Sequence, residues 1–128
     1  MPIRFVVEFL ATDFWLEAAA PGWEAPSGEE LEILGLGNGT LGIKPVAPAR
    51  GLPVKHSAEV EHVFGTGNVD RSHLLLKEFL DYDWSQVAGA GRASDLPLRK
   101  YVDALLAWAG IKGLMPHQVR VVFGVTTS

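Results

Sequence analysis

The chain has 128 residues, 48% hydrophobic and 20% charged, with a formal net charge of −4 and no cysteine. That length predicts a single domain over residues 1–128, and the composition excludes a disordered or fibrous chain, a disulfide framework and any thiolate chemistry. Residues 1–43 carry one base, Arg4, against seven acids, while residues 44–128 carry ten bases against eight acids, so the broad basic face that duplex binding needs is missing and nucleic acid is not expected as a partner.

Ile3 to Leu10 mixes β-branched and aromatic residues in partial alternation and predicts a strand. Glu8 breaks its apolar run, and no stretch of the chain approaches the ~20 apolar residues that cross a bilayer. The first residues lack an apolar core followed by a small-residue cleavage site, so a cytoplasmic protein is expected, with no membrane contact. Phe14, Leu16 and Ala18 alternate after Thr12 and Asp13, which predicts a hairpin. Two prolines and two glycines mark Ala20 to Gly28 as loop. Ser27 followed by Glu29, Glu30 and Glu32 predicts a short helix that Gly35 stops.

The glycine-rich run from Gly35 to Lys44 fails as a phosphate loop. Lys44 is followed by Pro45 where a hydroxyl residue belongs, and Thr40 stands where a dinucleotide fingerprint needs its third glycine. Asn38-Gly39 reads as a turn, and no cofactor is expected. Pro45, Pro48 and Pro53 then stiffen an extended surface loop. Ser57 as N-cap, Glu59 and Glu61 in the first turn and Gly65 as stop predict a short helix. His73 to Leu76 predicts a short buried strand, and Lys77 to Trp84 a helix with Phe79, Leu80 and Trp84 on one face. Leu98, Tyr101, Val102, Leu105 and Trp108 predict the clearest helix, capped by Ser94 or Asp95 and ended by Gly110. Val119 to Val125, after Pro116, reads as a strand buried on both faces and so central. The expected architecture is an α+β domain in which a small, mostly antiparallel sheet of N-terminal strands plus the C-terminal strand packs against helices.

No catalytic constellation converges in the sequence. His56 and His62 are six apart, diverging by about 120° at 3.6 residues per turn, so zinc ligation with Glu59 is not expected and no metal site is predicted. Ser57, Ser72 and Ser94 lie outside any nucleophile elbow. Asp81 and Asp83, if helical, point about 200° apart and do not form a carboxylate pair. Arg50, fixed between Pro48, Gly51 and Pro53, is the strongest ligand candidate, because a preorganised guanidinium grips phosphate or carboxylate through two parallel bonds. Lys44 and Lys55 flank it and would complete an anion site. Trp84 and Trp108 suit core packing, whereas Trp23, in a Pro-Gly loop, would anchor a partner protein.

Three pieces, Ala47 to Pro53 (APARGLP), His73 to Trp84 (HLLLKEFLDYDW) and Val119 to Val125 (VRVVFGV), occur in an order that resembles a group of small uncharacterised bacteriophage and bacterial proteins. That resemblance is carried by 26 of the 128 residues and implies an origin rather than a mechanism. The ending GVTTS departs from the aromatic and acidic ending of that group.

The leading functional expectation is a non-enzymatic binding module. It would either inhibit a host defence protein, with the acidic N-terminal third and Trp23 meeting a basic surface, or sequester a small anionic, nucleotide-like ligand on Lys44, Arg50 and Lys55, at a homodimer seam in one version. The alternatives are a small hydrolase or nucleotide-processing enzyme using His56, His62 or His73 as acid-base group with Asp70 as orienter, and a self-associating virion protein.

Overall fold

In a computed structural model of the chain, residues 3–19, 28–36, 43–48, 50–65, 71–84 and 97–125 are described. The elements are β1 (Ile3–Ala11), β2 (Phe14–Glu17), α1 (Gly28–Ile33), α2 (Ala58–Phe64), β3 (Arg71–Leu75), α3 (Leu76–Asp81), α4 (Pro97–Ile111) and β4 (Val119–Val125), the last preceded by a 3-10 turn over Pro116–Gln118. The strands form one sheet in the order β2-β1-β4-β3, antiparallel at every junction. This is the α+β architecture expected from the sequence, with β4 in an interior position.

Strand alternation divides the side chains between two faces. Val7, Leu74, Val119, Val121 and Phe123 point to one face, where they form the main core with Ile33 and Leu34 of and after α1, Leu76 and Phe79 of α3, and Leu98, Val102 and Leu105 of α4. Phe5 stacks on Phe123 at 5.6 Å and meets the edge of Tyr101 at 5.7 Å, tying β1 and β4 to α4. Burial of a side chain such as Phe123, fully enclosed, contributes about 1.5–3 kcal/mol. On the reverse face Val6 and Val122 pack with Val60 and Phe64 of α2 in a smaller core.

The local signals explain the element ends. The Ser57 hydroxyl accepts from the Val60 N–H, and Gly65 donates to the Glu61 carbonyl, closing α2 as its sequence predicts. A Cβ at Gly65 would lie 2.3 Å from that carbonyl oxygen, so the residue must be glycine. Gly35 takes φ 84°, consistent with a stop after α1. Several boundaries differ from expectation: β3 covers Arg71–Leu75 rather than His73 to Leu76, and Leu76 opens α3. α4 passes through Gly110 and ends in a left-handed turn at Gly113, φ 72°, where Gly113 donates to the Gly110 carbonyl and Leu114 to that of Ala109. Gly110 is simply an exposed helical residue; the αL conformation, not the presence of a glycine, makes the stop. α3 ends at Asp81, with Tyr82 extended, so Trp84 reaches the core from beyond the helix, its indole N–H donating to the Phe79 carbonyl at 2.8 Å. Asn38-Gly39, Ser27, Ser94 and Asp95 lie outside the described residues.

Candidate functional site

The proline-stiffened loop does not stand free of the domain. Its residues 50–57 are stitched along the sheet: the Gly51 N–H donates to the Arg71 carbonyl at 3.0 Å, the Arg50 N–H to the Ser72 hydroxyl at 3.0 Å, and His73 Nδ1 to the Gly51 carbonyl at 3.0 Å. Gly51 adopts φ 73°, which lets the chain turn between Arg50 and Pro53 without the strain a side chain would bring.

This course fixes Arg50 as the sequence predicts, but fills its fork from within the chain. Nη1 and Nη2 donate to the two carboxylate oxygens of Glu78 at 2.7 and 2.5 Å. Glu78 also accepts from the Leu75 N–H at 3.0 Å, satisfying a donor at the start of α3. The guanidinium holds the Glu78 carboxyl below the usual range, and the same bond raises Arg50. Lys44 lines a cleft with Glu78, Asp81, Tyr82 and Asp83, and its carbonyl accepts from the Tyr82 hydroxyl. Asp81 and Asp83 line this one cleft, contrary to their expected divergence, because the helix ends between them; Asp81 is paired with Lys77 at 2.6 Å. Lys55 lines a third position, and its carbonyl accepts from Arg120 Nη2 at 2.7 Å. Lys44 and Lys55 therefore line different clefts, and the Arg50 fork is taken up by Glu78. Trp23, the expected partner anchor, and Asp70, the expected orienter, lie outside the described residues.

The residues that build the most developed site were not singled out by the sequence reading. Glu8 of β1 and Arg120 of β4 are directly opposed across the strands on the reverse face, and both are buried. Arg120 donates to Glu8 Oε1 from Nε at 2.8 Å and from Nη2 at 2.6 Å, and Glu8 Oε2 accepts from the Ser57 N–H at 2.5 Å. The ring of Trp15 covers the guanidinium at 3.9 Å. Burial lowers the Arg120 pKa, a cost offset by the Glu8 bonds. One cross-strand pair thus joins β1, β4, the loop at 55–57 and, through Trp15, β2.

Above this pair, between β2 and residues 54–58, lies a cleft of about 650 Å³ lined by Asp13, Phe14, Trp15, Leu16, Val54, Lys55, His56, Ser57 and Ala58. Its rim exposes Phe14 (70%), Leu16 (46%) and Val54 (99%). His56 stands at the rim with both ring nitrogens used: Nδ1 donates to the Pro53 carbonyl at 2.9 Å and Nε2 to Glu61 at 2.7 Å. Two acceptors require two N–H groups, so this geometry suits the imidazolium, and the Pro53 carbonyl and then Glu61 raise the His56 pKa. A smaller, mainly apolar cleft of about 290 Å³ opens beside Phe9, Ala18 and Trp108.

Among the described residues no group of three His, Asp or Glu is placed to hold a metal ion, and no helix is long and apolar enough to cross a membrane. A scan against protein-family models and searches of curated proteins and of solved structures find no match, so the resemblance carried by the APARGLP and Asp-Trp elements stays a reading of this sequence.

Proposed function

We propose that this chain is a non-enzymatic binding module that acts by occupying a partner protein, and that the contact is made by the rim of the Trp15 cleft. The observation that supports this reading is that three large exposed apolar residues, Phe14, Leu16 and Val54, border one cleft, Val54 from across it and Phe14 and Leu16 from β2, whose other face carries their side chains. Exposed apolar groups gathered at one place mark association surfaces more than singly scattered ones do. The floor beneath them is cross-braced by Glu8, Arg120 and Trp15, so little ordering cost remains to be met on binding.

The other readings have less support. A sequestered anion would have to displace Glu78 from Arg50, and Lys44 and Lys55 face different clefts. A histidine base needs a free ring nitrogen at the cleft, and His56 has none. In the inhibitor version of the proposal the occupied partner is a host defence protein, and the same experiment identifies it. Affinity capture is run with the wild-type chain and with a Phe14→Ser/Val54→Ser double variant, whose changed side chains belong to neither core. A partner held by the wild type and weakened about ten-fold or more in the variant supports the proposal. A partner held equally by both, or substrate turnover by the purified chain, overturns it.

A further inference from the structure

The four strands end in two very different edges. The outer edge of β3 is covered by residues 50–51 through the Gly51 and Arg50 N–H bonds. β2 is the opposite terminal strand, and among the described residues nothing pairs with its outer side. The Ala18 N–H donates to the Val7 carbonyl at 2.9 Å, and hydrogen-bonded pairs alternate along an antiparallel ladder. Counting back through the register, Leu16 with Phe9 and Phe14 with Ala11 are bonded pairs. Trp15 and Glu17 therefore turn their N–H and C=O groups away from β1, toward the open side.

The side chains around this edge are arranged in two rows. Phe14 and Leu16 share the face of Phe9; Trp15 and Glu17 share the face of Glu8, where the cleft opens. Asp13 and Glu17, at the two ends of β2, are exposed and make no ion pair among the described residues. An edge with outward main-chain groups, a cleft along one side and acids at its ends has a definite complement.

We infer that β2 is a template for strand addition by an extended partner segment that pairs antiparallel with it, places an apolar side chain opposite Trp15 and another opposite Leu16, and sets a Lys or Arg opposite Glu17. This rests on the partner-protein reading and names the segment that reading would take. Main-chain bonds to Trp15 and Glu17 supply affinity that is indifferent to sequence, and the side chains of alternate residues supply selectivity. The apolar residue opposite Trp15 enters the cleft beside Val54; the one opposite Leu16 covers the other face; the base neutralises Glu17 as a cross-strand pair. Read from its N-terminus, the segment carries base, apolar, apolar. A second copy of β2 does not fit this description, because residues 5–19 hold acids and no base.

The test selects a randomised ten-residue peptide display library against the purified full chain, then measures amide hydrogen exchange with the enriched peptides bound. Enriched peptides sharing a base-apolar-apolar triplet are expected, with new protection at the Trp15 and Glu17 amides. Glu17→Lys should weaken those peptides about five-fold, a reversal of one cross-strand charge pair, and select acidic ones in their place. Peptides that need Phe14 and Val54 but leave the Trp15 and Glu17 amides unprotected overturn strand addition and leave the partner-protein reading standing. Peptides indifferent to Phe14 and Val54, or no enrichment at all, overturn strand addition and remove the support of the rim. A dimeric mass with both amides already protected in the free chain overturns it in favour of a second copy.

Discussion

Replacing Arg120 by Met would leave the fully buried Glu8 carboxylate with the Ser57 N–H alone among the donors described, and would strip the Lys55 carbonyl of a donor and Trp15 of its cation. Removing one partner of a buried pair costs about 3–5 kcal/mol, because the remaining charge stays desolvated. For a domain whose total stability is about 5–15 kcal/mol this is a large fraction, and at roughly 3–5 °C per kcal/mol the melting midpoint should fall by about 10–20 °C. Replacing both partners, Glu8→Leu with Arg120→Met, removes the stranded charge and should recover about 2 kcal/mol or more of that loss, giving a strong coupling in a double-mutant cycle. Urea unfolding followed by far-ultraviolet circular dichroism gives the free energies, and tryptophan fluorescence reports separately on Trp15. A loss below about 1 kcal/mol for the single change, or additivity of the two changes, would refute the argument that Glu8 depends on Arg120 for its burial.

Gly113→Ala should cost about 1–2 kcal/mol by forcing a side chain into φ 72°, whereas Gly110→Ala, helical and with open space at its Cβ, should stabilise by about 0.5–1 kcal/mol; thermal melts of the two variants that rank the other way would misplace the end of α4. Arg50→Ala should lower stability by about 1 kcal/mol near neutral pH, since the pair with Glu78 is bidentate but about a third exposed. Because the folded Glu78 pKa is depressed, that contribution is present above the ordinary glutamate value and fades as pH falls through the folded one, so wild type and variant should converge in acid; a gap that persists at pH 2 contradicts the pairing. His56 should titrate above its ordinary value of about 6.5, and Glu61→Gln should bring it down; its stabilising contribution is complete below that ordinary value and lost as pH rises through the folded one. A nuclear magnetic resonance titration with the His56 midpoint at or below 6.5 rules this out.

Short-range signals in the sequence carried most of the elements. The Thr12-Asp13 hairpin, the Ser57 cap, the Gly65 stop and the apolar face of α4 each depend on residues within a turn or two, and each is found where its pattern lies. What depended on distant pairing was not legible. In the sequence Glu8 only interrupts an apolar strand, and Arg120 lies within a run whose apolar neighbours predict burial on both faces. Their meaning comes from a register that sets them opposite each other, 112 residues apart. A signal was nonetheless present: two opposite charges, each within a strand that otherwise reads as buried, must satisfy one another. Arg50 shows the converse. Its restraint by prolines and glycine was readable, but the carboxylate that fills its fork sits on another element, and nothing local in sequence points to Glu78. The alternation of Phe14 to Glu17 announced a strand without saying that it would be terminal, since strand order is decided by the whole sheet.

The pairing of β1 with β4 also sets a schedule. Of the described strands, the earliest made has as its interior neighbour the latest, and at roughly 5–20 residues per second about 5–20 s separate their synthesis. Through that interval β1 has only the short β2 beside it, with Phe5, Val7 and Phe9 bare on one side and Val6 and the unpaired Glu8 on the other. The main core cannot close before β4 is made, because Val119, Val121 and Phe123 are synthesised together, after every other described strand. Loss of β4 through premature termination would therefore not trim the domain but leave its central seam open, and such a product should be cleared by proteases or held by chaperones rather than persist as a smaller folded form.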